Sequence, residues 1–180
     1  MGDKTTLSLH LHAGGKKENR RELDFYPTPP DVTIALMNML RLGKSVVWEP
    51  ACGDMAMSDV IKSFGHEVIS TDIIHGADFF ETTIKCDAII TNPPFALSEG
   101  FIRKALKEAD IVCMLLKGQY WHAKKRFPLF MENKPTWVLP LTWRPDFMGG
   151  ERGGAPTMEV AWTVWIKGFH DCKYMPLERP

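Results

Sequence analysis

The chain has 180 residues, with 22 Lys and Arg against 22 Asp and Glu, so its formal net charge is zero. This length suits one domain, or one domain and an arm, and a domain of this size buries roughly 70% of the surface that its unfolded chain exposes. A hydrophobic fraction of 44% argues for a packed core; no apolar run reaches the roughly 18 residues of a membrane span, and bulk positive charge is excluded as a way of holding nucleic acid, though a local basic face is not.

Residues 1–24 are polar, carry the basic pairs Lys16-Lys17 and Arg20-Arg21, and have no apolar core resembling a signal peptide. They read as a flexible arm that orders on binding, ahead of a single domain over residues 25–180. Tyr26-Pro27-Thr28-Pro29-Pro30 is a rigid extended stretch. Thr28 is the expected N-cap of a helix over 32–42, in which Val32, Ala35, Leu36, Met39 and Leu40 share one face. Strands are expected at 45–48, 67–70, 87–91 and 111–116, and helices at 57–64 and 98–109, with Ser98 as the second helix's cap. Strands alternating with helices argue a parallel sheet, because parallel neighbours need crossover connections. The β-rich segments 136–140 and 160–166 predict a closing antiparallel hairpin, joined by a loop containing Gly149-Gly150 and Ala155-Pro156.

The polar residues between these elements carry the chemical signal. Open α/β sheets bind ligands at the carboxyl ends of their strands. Here apolar strands run directly into Glu49-Pro50, Asp72 and Asn92-Pro93-Pro94, none of which packing requires. Ala51-Cys52-Gly53-Asp54 is a small-residue turn that lets backbone approach a ligand closely. Asp72 follows Gly53 at a spacing suited to accepting hydrogen bonds from ribose hydroxyls. Asp78-Phe79 offers a carboxylate and a ring for a purine. In Asn92-Pro93-Pro94-Phe95 the prolines fix the backbone. The Asn side-chain oxygen and a turn carbonyl then converge on one amino group, and Phe95 offers a face to a flat base. Cys52, Cys86, Cys113 and Cys172 form no Cys-x-x-Cys pair, the six His are scattered, and no metal site is expected.

Glu49-Pro50-Ala51-Cys52-Gly53 followed by Asn92-Pro93-Pro94-Phe95 resembles the class I S-adenosylmethionine-dependent amino-methyltransferases. More narrowly it is similar to the gamma-type adenine-N6 DNA methyltransferases, including small phage and prophage enzymes, with Tyr26-Pro27-Thr28-Pro29 in the place of the motif that precedes the glycine turn. The resemblance spans roughly residues 24–168. It implies a Rossmann-like fold: a mostly parallel seven-stranded sheet flanked by helices, with an antiparallel hairpin at the C-terminal end. It implies S-adenosyl-L-methionine as cofactor and S-adenosyl-L-homocysteine as product. Tyr26 and Thr28 would hold the methionine end. Glu49, Ala51 and Gly53 would line the methionine and ribose, Asp72 the ribose, and Ile73 and Phe79 the adenine, with Asp78 on the adenine amino group. Asn92 and the Pro93 carbonyl would bind the target amine, with Pro94 holding the turn and Phe95 stacking on a flipped base. One departure stands beside this: the family has glycine where this chain has Met55, which puts the local backbone geometry in question.

The charge is divided along the chain. Residues 41–110 carry 7 basic and 11 acidic side chains, and residues 111–180 carry 10 and 6. Lys117, Lys124, Lys125 and Arg126, interleaved with Tyr120 and Trp121, read as a phosphate-contacting segment, and Arg144 and Arg152 as a second surface. The chain ends about a dozen residues past its last expected strand. Recognition of sequence is therefore expected from short loops, a partner or dimerisation, as a monomer or homodimer, with a weak and salt-sensitive grip. DNA is the expected partner and RNA the alternative; a protein glutamine or a catalytically dead module fits less well. A cytoplasmic setting, in a bacterium or a phage-infected one, and protection of phage DNA from restriction follow from the resemblance.

Overall fold

The computed structural model describes residues 27–148 and 156–180. The expectations for residues 1–24, Tyr26, Arg152 and the loop through 149–155 lie outside the described residues.

Seven strands form one sheet in the order β2-β1-β3-β4-β6-β5-β7. They are β1 (Val46–Glu49), β2 (Glu67–Ser70), β3 (Ala88–Thr91), β4 (Ile111–Lys117), β5 (Trp137–Pro140), β6 (Val160–Ile166) and β7 (Lys173–Tyr174). β1 to β4 pair in parallel, β6 is antiparallel to both β4 and β5, and β7 is parallel to β5. Only β6 therefore runs against the others. The sheet is the expected Rossmann-like one, and β7, two exposed residues on its edge, is the strand that no sequence pattern announced.

Alternation along the strands distributes the core between two faces. Val47, Ile90, Cys113, Leu115, Trp162 and Val164 pack with α1 (Pro30–Leu40) and α2 (Ala56–Ser63). Trp48, Ile89, Val112, Met114, Leu116 and Trp165 pack with α3 (Ser98–Glu108) and with Leu129 of α4 (Phe127–Glu132). Central strands buried on both faces read as unbroken apolar runs, as β4 does. The Trp162 indole donates to the Val32 carbonyl at 3.0 Å, anchoring α1 across its layer. No helix among the described residues is long and apolar enough to cross a membrane.

Two capping expectations are corrected. α1 begins at Pro30 with Pro29 as N-cap and no side-chain cap, so Thr28 is released for another task. Ser98 is the first residue of α3 rather than its cap, and its hydroxyl donates back to the Phe95 carbonyl at 3.0 Å, closing the turn before the helix. The chain from β2 to β3 contains no α-helix, only a 3-10 turn at Ile73–His75.

Candidate active site

The sheet order places β1 and β3 side by side, with β1 leading to β2 on one flank and β3 to β4 on the other. Such a switch point opens a crevice at the carboxyl ends of the strands. Glu49 ends β1 there, Thr71-Asp72 follows β2, and Asn92-Pro93-Pro94-Phe95 follows β3.

Glu49 is 2% exposed. Its carboxylate accepts a hydrogen bond from the Ser58 hydroxyl of α2, which meets the Ser70 hydroxyl at 2.5 Å. Parallel pairing of Glu49 with Ser70 brings these groups together. Burial pushes the Glu49 carboxyl up to about 7, against the Ser58 hydrogen bond and with a smaller push from Asp54 and Asp72. Asp72 ties the two neighbouring loops: Oδ2 accepts from Gly53 N–H at 2.9 Å and Oδ1 from Ile74 N–H at 3.0 Å. Each oxygen keeps a second lone pair for a ligand hydroxyl. Gly53 sits at φ 50° and Met55 at φ 69°, both left-handed. The glycine-type backbone at residue 55 is thus kept despite the Met side chain, which is 42% exposed and does not line the crevice.

Asn92 Nδ2 donates to Thr28 Oγ1 at 3.1 Å. Thr28 is buried between Pro27 and Pro29, and with Nδ2 on its hydroxyl the Asn92 Oδ1 is turned away from it. Asn92 Oδ1 and the Pro93 carbonyl accept no hydrogen bond from any described residue, whereas the Pro94 carbonyl receives Leu97 N–H at 2.8 Å. Two unclaimed acceptors therefore stand in succession at the end of β3. The Phe95 ring is half-buried beside them, with Lys117 Nζ 4.6 Å from its centroid.

These groups surround a cavity of about 510 Å3, lined by Thr28, Glu49, Ala51, Gly53, Asp72, Ile73, Asn92, Pro93, Pro94 and Phe95 among others. Asp54 adds a third carboxylate to the wall, and among the described residues no Lys or Arg lines it. Ile73 and Ile74 form an apolar lip, 64% and 62% exposed. Sequence reasoning missed Phe147 and Met158, which close the far wall. Their only signal was an apolar residue on either side of the Gly-rich segment.

Asp78 and Phe79 are placed differently from the expectation. Phe79 is 3% exposed and stacks on Phe101 at 4.5 Å, with Trp48 at 5.1 Å, inside the α3-side core. Asp78 caps its own turn, with Oδ1 accepting from Phe80 N–H at 2.8 Å, and neither residue lines the cavity. An Asp-Phe pair after a Gly-containing turn looks the same in sequence whether its ring turns to ligand or to core.

Residues 120–126 form two 3-10 turns, Tyr120–His122 and Lys124–Arg126. Tyr120 is 4% exposed and its ring carries the Arg126 guanidinium at 3.9 Å. Arg126 also donates to the Tyr120 carbonyl at 2.7 Å, so this pair braces the segment. Trp121 is half-buried, and Lys124, Lys125 and Arg144 are exposed. Arg144 pairs with Glu159 at 2.8 Å, whereas Lys117, Lys124, Lys125 and Arg126 have no carboxylate partner among the described residues.

No family model matches the chain, and no curated protein matches it. Solved structures do. A protein classed as an RNA methyltransferase from Pyrococcus horikoshii is similar at 16% identity and a TM-score of 0.57, over 89% of this chain and 96% of that one. The modification subunit of a protein classed as a type I restriction enzyme from Vibrio vulnificus is similar at 12% identity and a TM-score of 0.58, over 98% of this chain and 50% of its own. A dimethyladenosine transferase from Plasmodium falciparum is similar at 13% identity and a TM-score of 0.53, over 79% of this chain and 63% of its own. These likenesses establish the class I methyltransferase fold.

Proposed function

We propose that the chain is an S-adenosyl-L-methionine-dependent methyltransferase acting on the N6 amino group of adenine in DNA. The observation that carries this reading is the pair of unclaimed acceptors, Asn92 Oδ1 and the Pro93 carbonyl, beside the Phe95 ring and the acidic crevice.

The crevice fits this cofactor by its charge. Among the described residues, three carboxylates and no cationic side chain line it. These carboxylates repel a phosphate-bearing dinucleotide and attract a ligand with an ammonium and a sulfonium. Glu49 would face the methionine ammonium, Asp72 the ribose hydroxyls with its spare lone pairs, and Ile73 the adenine face. The cofactor supplies a methyl group already activated for transfer by its positive sulfur.

The chain's residues prepare the acceptor. Adenine N6 is a weak nucleophile because its lone pair is delocalised into the ring. Asn92 Oδ1 and the Pro93 carbonyl would each accept one of its N–H groups. That favours a more tetrahedral nitrogen, with its lone pair turned toward the methyl. The same acceptors stabilise the positive charge that grows on nitrogen as it gains the methyl group, before one N6 proton is lost to water. Asn92 can act so only with Nδ2 turned away from the target amine, which is the orientation in which Nδ2 meets the Thr28 hydroxyl. Extruding the base from a duplex costs a few kcal/mol, and stacking on Phe95 offsets part of it.

The test is to incubate the protein with labelled S-adenosylmethionine and, separately, duplex DNA, single-stranded DNA, RNA and a protein carrying exposed glutamine, then digest and identify the labelled product. N6-methyladenine from DNA is the expected result. Label confined to RNA would move the substrate, and label on glutamine would overturn the nucleic-acid reading.

A further inference from the structure

Beside the catalytic cavity lies a second, larger one of about 1130 Å3, between the turn that follows β4, the end of β5 and the start of β6. The two share a partition. Met158 lines the first cavity and Glu159 the second, and Gly118 N–H donates to the Glu159 carbonyl at 2.8 Å. One residue before Gly118, Lys117 reaches the ring of Phe95.

The second cavity is walled by Trp121, Trp143 and Tyr174, with Gln119, His122 and Arg144 among its polar groups. Trp121 is immobilised: its indole donates to Thr163 Oγ1 at 3.3 Å, and Tyr120 and Phe130 meet its ring edge-on at 4.9 and 5.4 Å. Tyr174 stands 72% exposed on the edge strand. A ring held in place at a solvent-open groove, as Trp121 is, is a stacking platform for flat heterocycles. An amide and an imidazole nearby offer both donors and acceptors to a base edge. Arg144, now on the exposed Glu159, can exchange that partner for a phosphate. Lys117, at the end of β4, and Lys124 and Lys125, in the adjoining turn, have no carboxylate partner among the described residues. Apolar peptide would satisfy the rings and leave those cations unanswered; a polyanion bearing flat bases satisfies both.

We infer that this groove holds the nucleotide next to the target adenine, stacks its base, and supplies the sequence preference of the enzyme. The inference rests on the nucleic-acid reading of the first cavity. It also gives the catalytic fold its own reader of sequence in the strand order at hand.

The test is photo-cross-linking. Oligodeoxynucleotides, and RNA of the same sequence, carry 5-iodouracil next to a single adenine, and the cross-linked peptide is mapped by mass spectrometry. The expected cross-link falls on the segments that carry Trp121, Trp143 or Tyr174. Tyr174→Ala should weaken binding of the intact oligonucleotide by about 5- to 150-fold, the range for removing one base–aromatic stack. It should leave unchanged the binding of one that is abasic at the flanking position. Cross-links confined to other surfaces, in a protein that still methylates the adenine, would overturn this inference alone, as would equal losses on the intact and abasic strands. A wild-type protein that binds neither DNA nor RNA would end this inference and the nucleic-acid reading together.

Discussion

Glu49→Gln is the substitution whose consequences the structure defines most sharply. The carboxyl is buried at the crevice wall and titrates at about 7 instead of the ordinary 4.5. A difference of this size corresponds to about 3 kcal/mol at 1.36 kcal/mol per unit. The sign follows from proton counting. Between about pH 4.5 and pH 7 the native chain holds a proton at Glu49 that the unfolded chain has lost, so stability falls as pH rises through that interval. Above about pH 7 the full penalty is present, and below about pH 4.5 there is none. Gln keeps an oxygen for the Ser58 hydroxyl and carries no charge. The variant should therefore match the wild type near pH 4 and exceed it by about 3 kcal/mol at pH 8, roughly 6–12 °C in Tm for a chain of this size. Cofactor binding should show the opposite effect. A cationic ligand restores the charged carboxylate, so wild-type affinity for S-adenosylmethionine should rise with pH across 5–8, with proton uptake by the buffer measurable by calorimetry. The Gln variant should lose affinity and that pH dependence together. Thermal unfolding curves of the two proteins that stay parallel from pH 5 to pH 8 would refute this reasoning.

Three other perturbations test separate parts of the account. Met55→Gly removes a side chain from a left-handed residue at φ 69°; relief of strain, less the entropy gained by the unfolded chain, should raise stability by about 1 kcal/mol in denaturant melts, and a loss would show that the exposed Met packs usefully. Thr28→Val keeps shape and removes the acceptor of the Asn92 amide bond; kcat should fall by about 10²-fold with cofactor Kd unchanged, while Thr28→Ser retains activity. A fall in cofactor affinity at constant kcat would instead assign Thr28 to the cofactor. Lys117→Met keeps the aliphatic stem and removes one cation beside Phe95; the slope of log K against log salt for duplex DNA should flatten by about 0.9, and an unchanged slope would remove Lys117 from the phosphate contacts.

The strand ends were legible because packing cannot explain them. Glu49-Pro50, Asp72 and Asn92-Pro93-Pro94 each interrupt an apolar run at the place where an open sheet presents ligands, and all of them line the cavity except the buried Pro50. The central strands were legible for the complementary reason, since burial on both faces leaves unbroken apolar sequence. Phe79 was not legible. Local pattern places a ring near the cofactor turn but carries no information on which layer it enters, and the core cluster with Trp48 and Phe101 takes it. Thr28 reads locally as a helix cap, yet its partner is Asn92, 64 residues away. Phe147 and Met158 reach the site from the connection between β5 and β6, distant in sequence from β1 and β3, and Tyr120 is braced by Arg126 through a turn geometry that a run of basic and aromatic residues does not encode. Contacts of long sequence separation are set by the sheet order, and the sheet order was visible only in outline.

The central claim is that Asn92 Oδ1 and the Pro93 carbonyl receive the target amine. Single-turnover methylation of adenine-containing DNA by Asn92→Ala, measured beside its affinity for S-adenosylmethionine, tests it most directly. The account predicts a rate at least about 10²-fold below wild type, as for loss of one preorganised acceptor in the transition state, with cofactor binding retained. Methylation at the wild-type rate in a folded, cofactor-binding Asn92→Ala protein would contradict it.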